Sequence, residues 1–501
     1  MPEAAPTVQE LDAYRERADR FIAEEMEEYY LHFAGLKEEF ELEQIYARYA
    51  DLTDVEQVRR IGAAVDGDPR VRELWKFSCE GFLGALTREQ TERAAKLETE
   101  LKAEIDGEEI PYRMLRPTIA NEPDRDRRRR IEEARNRLNE EHLNPVSLEA
   151  IEQVQGGVRD LGSETYLDLY RRFSLDLDGL ADQCRQLLDS TERVFEEAAD
   201  RLFRARVGLG LDEVERWDVS RAFRAPQWDS AFPADKMVPA LEKTLGDLGV
   251  DLRRQANVEL DVEQRPTKSP RAFCAPIEVP GRVVLVIQPV GGPDDWRALF
   301  HEAGHTEHFA NTSPELPLEG RRLGDNAVTE GWASLFEQLT AEPAWTTRRL
   351  DFPRPEEFAA ESATVMLWVA RRYAAKLLYE LEFHAAADVT ELRPRYVELL
   401  TGALKVAPSD TDYLADVDAG FYVSSYLRSW AFEAQMRDHL RGRFGNDWFT
   451  RREAGGYLRE LWSEGQRLSG EEMIQDVTGG ELEMASIAER IRENLAPLLG
   501  R

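Results

Sequence analysis

Apolar residues recur every three to four positions along most of the chain, the period of amphipathic helices. Residues 8–48 carry it among many Glu and Arg. Residues 86–107, "LTREQTERAAKLETELKAEIDG", read as one charged amphipathic helix closed by Gly107. The stretches 124–142, 176–208 and 234–250 continue the pattern, and 224–236 reads as a loop between helices. The period then changes. "RAFCAPIEV" (271–279) and "RVVLVIQPV" (282–290) are short, rich in Val and Ile, and separated by Pro280-Gly281. This is the one convincing strand–turn–strand signal. After it the helical period returns and holds to the end. The pattern predicts an all-α chain with one small β-sheet, divided into a helical region 1–265 and a region 266–501 that carries the candidate chemistry.

Charge narrows the function classes. Of 501 residues, 97 are Asp or Glu and 65 are Lys or Arg, a net charge of −32. That balance argues against general nucleic-acid binding, which relies on cations neutralising phosphates, and against docking on anionic lipid. The run "DRDRRRRIEEARNRLNEEH" (124–142), with Arg127 to Arg130, is the one local exception. It reads either as a basic patch or as a solvated helix face pairing Arg with the following Glu, and the acidic surroundings favour the second. Cys79, Cys184 and Cys274 are far apart and odd in number, which suits a reducing compartment. The N-terminal residues lack a basic start followed by an apolar run, and no stretch approaches 18 uninterrupted apolar residues. The expectation is a cytoplasmic protein that meets no membrane.

The candidate chemistry lies in "WRALFHEAGHTEHFAN", which begins at Trp296 and holds three of the seven histidines. Asp294 and Asp295 favour a helix start just before it. His301 and His305 are four apart, so they share a helix face, one turn above the other. Two imidazoles so placed can bind one Zn²⁺, with Glu302 beside the metal as a general base. The plain alternative is a helix with satisfied polar histidines. Zinc catalysis usually takes three protein ligands and a water. In "RRLGDNAVTEGWASLFEQLTAE" (321–342) Asp325 can cap a helix, and Glu330 falls early on it. Such a helix, packed on the first, would present Glu330 to the metal. An exposed surface Glu is the other reading, and spacing alone leaves both open.

These residues carry a resemblance. "LFHEAGHTEHF", with His308 seven residues after His301, resembles the HExGHxxH signature of the M3 zinc metallopeptidases, the thimet oligopeptidase and oligoendopeptidase F group. "SPRAFCAPIEVPGRVVLVIQPVGGPDDWRALFHEAGH" resembles that family's strand pair and turn leading into the zinc helix. The resemblance is specific over about 266–345. Over 1–230 it amounts to a helical character shared with that family and with the angiotensin-converting-enzyme-like and carboxypeptidase Taq-like peptidases. It implies a two-lobed, all-α helical zincin with a small sheet next to the zinc helix and the site deep in a cleft. It implies one Zn²⁺ held by His301, His305 and Glu330, with Glu302 as base and short unfolded peptides as substrate. His308 then lies close to the site, off the face the two ligands share.

Hydrolysis also needs a group to stabilise the oxyanion formed on the attacked carbonyl. "DVDAGFYVSSYLRSWAFEAQM" (416–436) offers Tyr422 and Tyr426, four apart and on one face if helical. Core packing explains them equally well. The resemblance favours the functional reading, because M3 peptidases carry a Tyr-rich stretch of similar form. The chain departs from the family here: residues 385–438 contain no histidine where many members have one. His384 and His439 are expected to be structural. The strand at 282–289 is a candidate to bind the substrate backbone as an added strand.

Two rival readings remain. A carboxypeptidase or dipeptidase would share the chemistry but needs a cation for the peptide's C-terminal carboxylate, with Arg428, Arg371 and Arg372 as candidates. A non-catalytic helical scaffold could hold zinc structurally. Such sites usually have four protein ligands, often Cys, and Glu302 would then serve no purpose. Oligomeric state is not legible in the sequence.

Overall fold

The structure, a computed structural model, describes residues 5–65 and 67–499. Among these residues lie 21 α-helices and five short strands, so the all-α expectation holds. No helix among them is long and apolar enough to cross a membrane. The chain divides into two compact units, each assembled from three stretches. The first comprises Met1–Ser78, Pro226–Ala359 and Ser425–Ile487, and the second comprises Cys79–Ala225, Ala360–Ser424 and Ala488–Arg501.

The first unit is organised on a three-stranded sheet. Its middle strand, Arg282–Val286, runs parallel to Val258–Asp261 on one side and antiparallel to Phe273–Glu278 on the other. Val283, Val284, Leu285 and Val286 are all fully buried, which is why this strand reads as a continuous apolar run rather than an alternation. Helix Val8–Phe33 covers one face, where Tyr30 and Ala34 pack on Ala275, Ile277, Val284 and Val286. Helix Pro293–Asn311, the histidine helix, packs on the sheet as well. The expected strand pair is present, but two expectations need correction. Val258–Asp261 joins as a third strand that no local pattern announced, since a half-exposed four-residue strand finds its parallel partner only through the fold. The strand at 282–289, expected to receive a substrate strand, is the middle one. Both its edges are already paired, and an added strand needs a free edge.

The second unit corrects the reading of 86–107. Helix Arg88–Glu100 stops short, and Lys102–Ile105 pairs with Glu108–Pro111 as a hairpin. Asp106 and Gly107 turn the corner with φ of 55° and 81°, the positive-φ pair that a two-residue hairpin demands and Asp-Gly supplies. Ala103, Ile105 and Ile110 alternate into a core with Leu115, Ile119 and Ile131. The charged residues between them carried a helical look, while the buried ones had the period of a strand. The Arg run forms helix Arg125–Leu138, capped by Asp124. Its cations pair with acids from elsewhere in the unit: Arg128 with buried Asp218 at 2.7 Å, Arg130 with Asp106 at 2.7 Å, and Arg127 with Glu108.

Candidate metal centre

The histidine helix starts where its sequence allows. Pro293 takes the first turn, where a missing N–H costs nothing, and Asp294 and Asp295 follow at the positive end of the helix dipole. The Asp295 carboxylate also accepts the amides of Val290 and Gly291 at 2.7 and 2.8 Å, pinning the incoming loop. Trp296, Leu299, Phe300 and Ala303 form the fully buried stripe that anchors the helix. His301, Glu302 and His305 fall on the half-buried side.

The second helix of the site is Asn326–Glu337. Asp325 caps it, accepting the Ala327 amide at 3.0 Å, and also binds the Gly470 amide and the Arg428 guanidinium at 2.9 Å each. Gly304 explains how closely the two helices approach. A Cβ there would sit 2.6 Å from Ala333 Cα and from the Trp332 carbonyl oxygen, so only glycine admits the facing backbone. Three residues before that contact stands Glu330, 5% exposed, which excludes the surface-Glu reading.

These elements bring His301, His305 and Glu330 together, with one potential ligand atom from each lying within 4.8 Å of the others. The Glu330 carboxylate is 3.4 Å from His301 Nε2 and 3.7 Å from His305 Nε2. The opposite ring nitrogens are engaged elsewhere: His301 Nδ1 contacts Glu337 at 3.0 Å, and His305 Nδ1 contacts Thr329 Oγ1 at 2.9 Å. Arg297 in turn holds Glu337 at 2.7 Å. Each imidazole thus has its Nδ1 side fixed by a neighbour and its Nε2 turned to a shared carboxylate. That is how proteins orient histidine ligands toward a metal. Two imidazole nitrogens and one carboxylate oxygen form the donor set of a three-ligand zinc site.

The electrostatics agree. Burial works against a charged His301, but the Glu330 and Glu337 carboxylates outweigh it and raise the ring to about 10. Burial pulls His305 down to about 4. Glu337 is buried too, yet Arg297 and His301 hold it at about 2. Three carboxylates and two imidazoles within one small volume favour a cation at their centre. Beside them the Cys274 amide donates to Glu302 Oε2 at 2.9 Å, from the outer strand Phe273–Glu278. Burial raises Glu302 to about 7, against the pull of His301 and this amide. It is thereby poised to take up a proton near neutrality.

The other candidates fall elsewhere. His308 is fully buried against Phe309, and burial lowers it to about 3. It is neutral and faces no solvent. His384 stacks on Tyr166 at 4.4 Å, and His439 meets the Tyr457 hydroxyl at 3.2 Å. Tyr422 and Tyr426 stand half-buried in the first two turns of helix Tyr422–Phe444, Tyr426 stacked on Trp430. Tyr422 belongs to the second unit and Tyr426 to the first. The three arginines considered for a peptide carboxylate are engaged: Arg428 by Asp325 and Glu471, Arg372 by Asp416, and Arg371 by Thr191 and the Ala403 carbonyl. Sequence reasoning missed Glu337, Thr329, Arg297 and the Cys274 amide. Two of them had a readable signal. Glu337 follows Glu330 by seven residues and Arg297 precedes His301 by four, so each shares a face with a ligand.

No protein-family model matches the sequence, and no curated protein matches it. The fold has a solved counterpart, a protein of Bacillus anthracis str. Ames described as "a putative oligoendopeptidase F". The likeness has a TM-score of 0.61, spans 92% of this chain and 80% of that one, and carries 17% sequence identity. At that identity the likeness is one of fold.

Proposed function

We propose that the chain is a zinc metallopeptidase of the oligoendopeptidase kind, acting on short unfolded peptides. The observation that carries the reading is the convergence of the His301 and His305 Nε2 atoms on the Glu330 carboxylate, with Glu302 alongside. The fold shared with a protein described as an oligoendopeptidase F supports it. Three protein donors rather than four leave room for substrate and water, which favours a catalytic over a structural zinc.

Zinc held by these three residues would supply Lewis acidity to the attacking water and to the peptide carbonyl. The protein's own groups do the rest. Glu337 and Thr329 hold the two imidazoles in the tautomer that keeps each Nε2 free to ligate. Glu302, oriented by the Cys274 amide, takes the proton from the attacking water and delivers it to the leaving amine. The resemblance to the M3 peptidases favours Tyr422 or Tyr426 as a hydroxyl donor to the charge that develops on the carbonyl oxygen. Arg428, Arg371 and Arg372 are bound by the protein's own acceptors, so none is free to hold a C-terminal carboxylate, and the endo-acting form of the reading stands ahead of the carboxypeptidase form. The three cysteines are free thiols, in keeping with a cytoplasmic setting.

Metal analysis combined with a quenched-peptide assay tests the reading. The expected result is about one zinc per chain and cleavage of internal bonds in peptides with blocked termini. A zinc-containing protein that cleaves no peptide would leave the scaffold reading in its place.

A further inference from the structure

The last turn of helix Val8–Phe33 and the segment after it expose an aromatic ledge. Phe33 is 41% exposed, Leu36 49% and Phe40 41%, among the few large apolar side chains that face solvent in the described residues. They are ordered rather than scattered. Tyr29 stacks on Phe33 at 5.9 Å, Phe40 meets Tyr29 at 5.4 Å and Phe33 at 5.8 Å, and the His32 ring lies on Phe40 at 4.5 Å. The corner beneath is pinned. The Phe33 carbonyl accepts the Ser269 amide and the Ala34 carbonyl accepts Arg265, each at 2.7 Å. Rigid exposed aromatics of this kind mark binding surfaces.

The ledge adjoins the strand whose amide holds Glu302. The Phe33 ring is 6.5 Å from the ring of Phe273. Phe273 opens the outer strand of the sheet, and the amide of the next residue, Cys274, is the one that holds Glu302. One strand end therefore touches the general base with its backbone and the ledge with its side chain. We propose that Phe33 and Phe40, with Tyr29, determine specificity by taking an aromatic or large aliphatic side chain of the peptide substrate. The proposal rests on the peptidase reading above. An extended peptide advances roughly 3.3 Å per residue, so peptides carrying the large side chain at successive positions from the scissile bond locate the favoured ones. A second copy of the chain is a poorer occupant. A stable dimer needs about 800 Å² from each partner, far more than these few side chains offer.

The test uses two quenched peptides that differ only in Phe or Ala at those positions. The wild-type protein should favour the Phe peptide about tenfold in kcat/KM, through KM, and Phe33→Ser combined with Phe40→Ser should bring that ratio close to one. Phe33→Leu keeps apolar bulk and should retain part of the preference. Zinc content, measured in parallel, should not change. In a Glu302→Gln background, fluorescence anisotropy of the labelled Phe peptide should show Kd rising about tenfold on the same double substitution. An unchanged ratio in the double variant, or an unchanged Kd, overturns the proposal. If the wild-type protein hydrolyses neither peptide, the peptidase reading fails on its own, and the Kd comparison still decides the ledge. A double substitution that alters sedimentation but not Kd assigns the surface to a second copy and also overturns the proposal.

Discussion

Two stretches of this chain are dense with ionisable residues, and the structure resolves them in opposite ways. Around "DRDRRRRIEEARNRL" the buried arginines meet their opposites, although buried Glu132 has no hydrogen-bond partner. Asp218 receives Arg128 at 2.7 Å and Arg125 at 2.9 Å, and Asp412 receives Arg135 at 2.7 Å and the Asn139 amide at 3.0 Å. Around "HEAGHTEH" the same density is unbalanced, with ring nitrogens and carboxylate oxygens turned toward one another. The first arrangement is closed, since a ligand would have to break an ion pair to enter. The second, on the reading proposed above, would be completed by a cation. What separates a structural cluster from a candidate metal site is therefore which groups face each other, and the number of charged residues does not reveal it.

The largest expected effect tests the second region alone. Glu302→Gln keeps an acceptor for the Cys274 amide and removes the base. Peptide hydrolysis should fall about 10²- to 10⁴-fold with zinc content retained, read by steady-state kinetics beside metal analysis. Retained activity would sink the mechanism. Two further substitutions pull the regions apart. Glu330→Ala removes a ligand, and zinc affinity should drop by more than the roughly hundredfold that limits changes in outer partners. Asp218→Asn leaves Arg128 buried without a charge partner and should cost about 3–5 kcal/mol in urea unfolding. Zinc content should not move with it. If Asp218→Asn emptied the metal site, or if Glu330→Ala left zinc bound, the contrast would collapse.

Much of this was legible from the sequence because helical period is a strong signal. His301 and His305 share a face by arithmetic, and Asp325 announced the helix that carries Glu330. The reason for Gly304 was not legible. Helix propensity alone counts a glycine inside a helix as unfavourable, and Gly304 is the point where a second backbone comes within contact. The strand order was hidden for a related reason. Pairing of Val258–Asp261 with Arg282–Val286 is set by the fold, and no local pattern shows that Arg282–Val286 lies in the middle. The hairpin at 102–111 was legible in its Asp-Gly turn but was masked by the charges of the helix before it. Cys274 could not be found at all, since its backbone amide and not its side chain does the work.

The outer partners of the two histidines give the finest test of how the second region is tuned. Glu337→Gln replaces a charged acceptor, itself held by Arg297, and should lower zinc affinity about 10- to 100-fold in a competition with a chelator. Thr329→Val is close to isosteric and removes only the neutral acceptor at 2.9 Å from His305 Nδ1. A neutral hydrogen bond contributes about 1 kcal/mol, so the loss should stay within about tenfold. The order of the two effects carries the argument. If charge on the outer partner raises the basicity of the ligand, Glu337→Gln must exceed Thr329→Val. If the partners only fix ring orientation, the two losses converge, and the imbalance of charge around the histidines would reflect packing rather than metal affinity.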